Sequence, residues 1–167
     1  AMLNSQVPYG DDVISRIKRI REDAGALELL NLTIVKTVNE IIDELVRTAK
    51  LPVMSIYEIT IAGNSTMQEI FCSFDPSALG EMPFVQVFAT AQKLSVQYLG
   101  ITANESAEVY VFPQIESFVG GDTVSGMVAA RLDMAKEPTM LVDIGTNGEI
   151  VLAHGKSKLN SEFERLV

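Results

Sequence analysis

Three glycine-punctuated segments carry the residue types that could do chemistry. In Leu141-Val142-Asp143-Ile144-Gly145-Thr146-Asn147-Gly148-Glu149 an acidic residue closes an apolar run just before a Gly-bounded turn. That pattern suits a phosphorylated ligand: glycines let backbone N–H groups approach phosphate oxygens, Thr and Asn side chains donate further hydrogen bonds, and an aspartate can hold Mg²⁺ through water. The same letters also describe a plain hairpin, since Asn147-Gly148 favours a two-residue turn by itself. A second segment, Ile61-Ala62-Gly63-Asn64-Ser65-Thr66-Met67, reads as strand, turn and helix start, where free amides attract anions. Phe118-Val119-Gly120-Gly121-Asp122-Thr123 is a third Gly-rich helix entry, with Asp122 placed to orient a water or Mg²⁺. For both of these the structural alternative is a simple N-cap.

Other chemistry is limited by composition. One cysteine, Cys72, and one histidine, His154, exclude an internal disulfide, a four-Cys cluster, a CxxC pair and the common zinc sites. Cys72 reads as core, and His154 has no acid or nucleophile near it in sequence. The 167 residues suffice for a continuous core; with aromatics at 7% and no Trp, that core is aliphatic. A net charge of −9 repels phosphate backbones, so no nucleic-acid partner is expected. No apolar run is long enough to span a membrane, and the start lacks a signal-peptide pattern, so a cytoplasmic location is expected. The basic cluster Arg16, Lys18, Arg19 and Arg21 is expected on the solvated face of the first helix.

The elements that must position these residues follow from periodicity. Asp11 or Asp12 caps a first helix that Gly25 ends. A long amphipathic helix carries Leu27, Leu30, Ile34, Val38, Ile41, Leu45 and Ala49 on one stripe and stops at Pro52. Period-two alternation predicts a strand over 53–62, and Ser65-Thr66-Met67-Gln68 matches a capping box for a short helix ending near Ser73. Residues 75–107 read as loop with short strand pieces. A strand over 108–112, a small-residue helix over 123–132, and a hairpin of strands 139–144 and 149–153 complete an α/β order.

The blocks Tyr9-Gly10-Asp11-Asp12-Val13-Ile14-Ser15-Arg16-Ile17, Gly63-Asn64-Ser65-Thr66-Met67, Pro83-Phe84-Val85, Val109-Tyr110-Val111-Phe112-Pro113, Ser117-Phe118-Val119-Gly120-Gly121-Asp122-Thr123 and Val142-Asp143-Ile144-Gly145-Thr146-Asn147-Gly148-Glu149-Ile150 occur in the order of one family. Together they resemble the C-terminal ATPase domain of the reductive activators of corrinoid proteins, from about Asn4 to Leu159. The resemblance implies a partial actin-like, ribonuclease-H-like fold. Residues 1–138 would be the later part of the first lobe with its connecting helix, and 139–167 the opening hairpin of the second lobe with a short terminal helix. It implies ATP and Mg²⁺ as cofactors, with a [2Fe–2S] cluster in a separate N-terminal domain. Electrons from that cluster would reduce the Co(II) corrinoid of a methyl-transfer protein to Co(I) at the expense of ATP.

By the same resemblance Asp143 holds Mg²⁺ through water, while Gly145, Thr146, Asn147 and Gly148 form the second phosphate loop. Gly120 and Gly121 connect the lobes, Asp122 positions the attacking water, and Gly63, Asn64, Ser65 and Thr66 face the cleft. The family's earlier Asp-Ile-Gly-Thr-Thr phosphate loop has no counterpart here, and Gln68 stands where relatives usually have His. The alternative is a non-catalytic docking or oligomerising module, such as a homodimer joined through open sheet edges.

Overall fold

The structure, a computed structural model, describes residues 1–144 and 148–154. The sequence-predicted terminal helix, and Gly145, Thr146 and Asn147, lie outside the described residues.

Helix α1 spans Val13–Glu22 and starts at Asp12, whose carboxylate accepts from the backbone N–H of Ser15 while the Ser15 hydroxyl accepts from the Asp12 N–H. This reciprocal cap satisfies two of the otherwise orphaned donors at the helix start. The helix ends at Glu22, and Gly25 caps the start of α2 (Ala26–Ala49) instead of closing α1. Helix α2 is the long amphipathic helix expected, but its fully buried residues are Ala26, Leu30, Val35, Thr37 and Ile42, and Leu45 is 61% exposed. The apolar stripe extends beyond the surface it packs on, so its C-terminal turns run past the core.

Strand β1 is confined to Glu58–Ile61, because a 3-10 turn at Val53–Ser55 takes up the start of the alternating stretch. Helix α3 covers Ser65–Phe71, and its cap is Asn64, whose side chain accepts from the N–H of Met67; Ser65 is already the first helical residue. The stretch 75–107 is more ordered than its composition suggests, with β2 at Gln92–Ser95 running into α4 at Val96–Leu99. After β3 (Glu108–Val111), α5 (Gly121–Ala129) starts two residues before the sequence boundary. The hairpin is present as β4 (Thr139–Ile144) paired antiparallel with β5 (Gly148–Ala153).

Two sheets result, ordered β1-β3-β2 and β4-β5, with β1 parallel and β2 antiparallel to β3. The main core lies between α2 and the first sheet, where Val35, Ile42, Phe71, Val96, Val109 and Val111 are buried together. A smaller cluster of Leu132, Val151 and Ala153 seats the hairpin against the end of α5. No helix among the described residues is long and apolar enough to cross a membrane.

Helix α3 joins these layers through polar side chains that are wholly buried. Asn31 of α2 donates to the carbonyls of Ile70 and Phe71 at 3.0 and 2.9 Å. Gln68 and Glu69 have no exposed surface. Glu69 accepts from the backbone N–H of Val87 at 2.8 Å through Oε1, while its Oε2 finds no partner among the described residues. Burial pushes this carboxyl up to about 7; the Val87 N–H opposes the shift and Asp75 adds to it. Because the folded value lies above the ordinary 4.5, the folded chain keeps the proton longer than the unfolded chain does. The Glu69 contribution to stability is therefore fullest below about pH 4.5 and is lost as pH rises to about 7. Urea unfolding across that window should show a decline of about 1–3 kcal/mol. In Glu69→Gln, which keeps an acceptor for Val87, the decline should flatten.

Candidate functional site

The first turns of α1, α3 and α5 meet around a cavity of about 390 Å³. From the segments singled out in the sequence, it receives Asn64, Ser65 and Thr66 of the first helix entry, Asp122 of the second, and Asp143 of β4. Glu149 also lines it, because the antiparallel register sets Glu149 directly opposite Asp143. The β4–β5 sheet and three helix starts thus deliver side chains to one space, which no single stretch of sequence could do.

The glycines act through backbone approach. Gly120 packs on the β1–α3 turn so tightly that a Cβ would stand 2.6 Å from both Asn64 Cα and the Gly63 carbonyl oxygen. A Cβ on Gly121 would collide with the Gln68 amide and lie 2.7 Å from Phe112 Cβ. Gly63 accepts from the backbone N–H of Asp122 at 3.1 Å, so it anchors the residue that enters the cavity while lying outside the lining. Gly148 opens β5 opposite Ile144. The need for glycine at 120 and 121 is thus a packing requirement, met before any ligand is considered.

Gln68 completes the assembly. Its Oε1 accepts from the N–H of Gly121 at 3.0 Å and its Nε2 donates to the carbonyl of Phe112 at 2.9 Å. One buried amide therefore ties α3 to the end of β3 and to the start of α5, with Asp122 the next residue along.

Sequence reasoning missed three contributors from the first block: Asp11, Asp12 and Arg16 line the same cavity. Arg16 was expected in solvent with Lys18, Arg19 and Arg21; it is 5% exposed and turned inward, with its Nε donating to the Gly10 carbonyl at 2.9 Å. A helical-wheel check offers the signal, since Arg16 falls on the flank of the buried pair Ile17 and Ile20. Cys72 and His154 stand apart from the cavity. Cys72 is core, as expected, and burial pushes its thiol up to about 12, far from the thiolate form that binds metal. His154 is exposed after β5.

The cavity's charge is lopsided, with carboxylates on Asp11, Asp12, Asp122, Asp143 and Glu149 facing one guanidinium. Asp122 is half-buried, and burial raises its pKa above the ordinary value; the charge of Asp143 raises it further, while the Thr123 N–H bonded to its Oδ1 at 2.9 Å opposes the shift. Among the described residues no three carboxylate, His or Cys groups converge closely enough to cage a metal ion. Mg²⁺ does not need such a cage, because it keeps several waters and takes one or two carboxylates. Asp143 and Asp122, near enough to feel each other's charge, fit that outer-sphere role. A bare polyphosphate would be repelled by these carboxylates, whereas one carrying a divalent cation would not.

By fold and site the chain is an α/β domain whose elements converge on an acidic, helix-ringed cavity. The family described as RACo middle region matches residues 1–135, and the chain belongs to that family. The corrinoid activation enzyme RamQ of Eubacterium limosum is 33% identical over 154 residues, covering 92% of this chain and 26% of that protein. A solved structure described as a reductive activator for corrinoid, iron-sulfur protein aligns with a TM-score of 0.86 at 34% identity, over 90% of this chain and 24% of that one. The chain spans about a quarter of the length of these relatives.

Two outcomes test the geometry. Gly120→Ala should destabilise the fold by about 2 kcal/mol or more in chemical denaturation, because the opposing atoms are backbone and cannot swing aside. In Asp143→Asn the carboxyl of Asp122 should titrate lower than in the parent chain, read by carbon-detected NMR, since one of the charges raising it is gone.

Proposed function

We propose that the chain contributes one wall of the nucleotide cleft in an ATP-dependent reductive activator of corrinoid proteins, within the actin-like ATPase domain that the sequence motifs resemble. The observation that carries this reading is the convergence of Asn64, Ser65, Thr66, Asp122 and Asp143 on one cavity from distant parts of the chain. In this reading Asp143 holds Mg²⁺ through water and Asp122 orients the attacking water. Gly145, Thr146, Asn147 and Gly148 supply donors to the phosphates, while Gly63, Gly120 and Gly121 keep the loops at contact distance. Bound Mg²⁺ would neutralise phosphate charge, and phosphoryl transfer then depends on positioning. The [2Fe–2S] cluster belongs to another domain of the parent protein, and the partner is a corrinoid protein of a methyl-transfer system. The parent's work would be to pass an electron from that cluster to the partner's Co(II) corrinoid, giving Co(I), at the expense of ATP.

A second reading has its own observation. Met140, Ile144 and Leu152 are 62%, 89% and 65% exposed on the hairpin, an apolar surface suited to docking or to pairing with a second copy. The two readings separate in a calorimetric titration with Mg·ATP. Saturable binding that weakens about tenfold in Asp143→Ala, a loss of about 1.4 kcal/mol, supports the nucleotide cleft. Absence of heat with the parent chain overturns binding by this segment alone and leaves the docking role.

A further inference from the structure

Arg16 is held in a way that a surface arginine is not. Gly10 has φ +151°, a backbone conformation that side chains rarely adopt, and a Cβ there would stand 2.8 Å from Arg16 Cγ and 3.0 Å from Ser15 Oγ. The glycine thus clears space for the arginine stem, and its carbonyl accepts from Arg16 Nε at 2.9 Å. Little of Arg16 is exposed and its Nη edge opens only onto the cavity, yet the ion pairs among the described residues, Lys18–Glu22, Arg21–Glu81, Lys36–Glu40 and Lys93–Glu108, leave it out. Asp11 and Asp12 favour its charge from a distance, against the burial that disfavours it. An arginine keeps its proton, and this one has no counter-ion in contact among the described residues. An anion in the cavity that Arg16 shares with Ser65, Thr66 and Asp143 would supply one.

We propose that Arg16 is the anion-reading residue of this cavity, its Nη edge donating to a phosphate oxygen of a polyphosphate ligand while Gly10 fixes the guanidinium in place. The inference rests on the nucleotide reading above and sharpens it. The carboxylates would take the ligand's cation and Arg16 its phosphate, so the site favours the two together over the anion alone.

The test is calorimetric titration of the full chain with Mg·ATP and with Mg·pyrophosphate, for the parent, Arg16→Gln, Arg16→Lys and Gly10→Ala, with melting curves confirming the fold. Arg16→Gln is expected to weaken both ligands tenfold or more, and Arg16→Lys, which keeps the charge but not the planar fork, to fall between. Gly10→Ala should weaken both by displacing an unaltered arginine. If Arg16→Gln does not fold, Arg16→Lys carries the comparison. Binding by a folded Arg16 variant as tight as that of the parent overturns the inference and leaves the nucleotide reading standing. A parent chain that binds neither ligand overturns both.

Discussion

The structure depends on one buried amide. Gln68 has no exposed surface, and its two polar ends are spent on the Gly121 N–H and the Phe112 carbonyl. The Gly121 N–H is buried and has no water to fall back on, so losing the amide would leave it unsatisfied in the interior at about 1–3 kcal/mol and would also break the half-buried bond to Phe112. The bond pair also fixes register. It locks α3, the end of β3 and the start of α5 relative to one another, and the neighbouring contact of Gly120 with the Gly63-Asn64 backbone admits no slack. Asp122 enters the cavity from the middle of this lock, with its own N–H held by Gly63.

Electrostatics set what such a cavity can accept. Five carboxylates and one guanidinium repel a free anion, and the guanidinium repels a free cation approaching on its side. The raised pKa of Asp122 is the local sign of that imbalance: part of its cause is burial, and part is the charge of Asp143 across the space. Charge of both signs arriving together relieves both strains. By its lining charges the cavity attracts a cation, and an anion enters more easily beside one than by itself.

Much of the fold was legible because its signals are local. The Asp12 cap, the amphipathic course of α2 and the apolar run and Asn-Gly signal of the β4–β5 hairpin are each written within a few residues, and the elements fall close to where these signals put them. The cavity was legible in part: Asn64, Ser65, Thr66 and Asp122 carry the turn and cap signatures of helix entries, and Asp143 closes an apolar strand before a turn. Arg16 was not, because a basic run reads as solvated, and only the tertiary packing of α1 against the turn at Gly10 turns one of its four members inward. Helix α4 and strand β2 were hidden for the opposite reason. Each has only four residues, too short to establish a period, and both are held by pairing with β3 and by the burial of Val96 and Leu99.

A seven-residue helix rich in buried polar side chains is a poor way to gain stability, since Ser65, Thr66, Gln68 and Glu69 all had to leave water. Apolar residues at these positions would strengthen the core, but they could not tie loop backbones whose N–H and C=O groups point at the helix. The polar residues sit where α3 faces turns, and the apolar Ile70 and Phe71 sit where it faces α2 and the sheet. The division follows from the cavity's geometry. Three chain segments must turn sharply beside one another to open that space, and sharp turns expose backbone that only side-chain amides and carboxylates can satisfy. Stability at α3 and the shape of the site accordingly share the Gln68 bonds, so a substitution that breaks them also weakens the anchorage of Asp122.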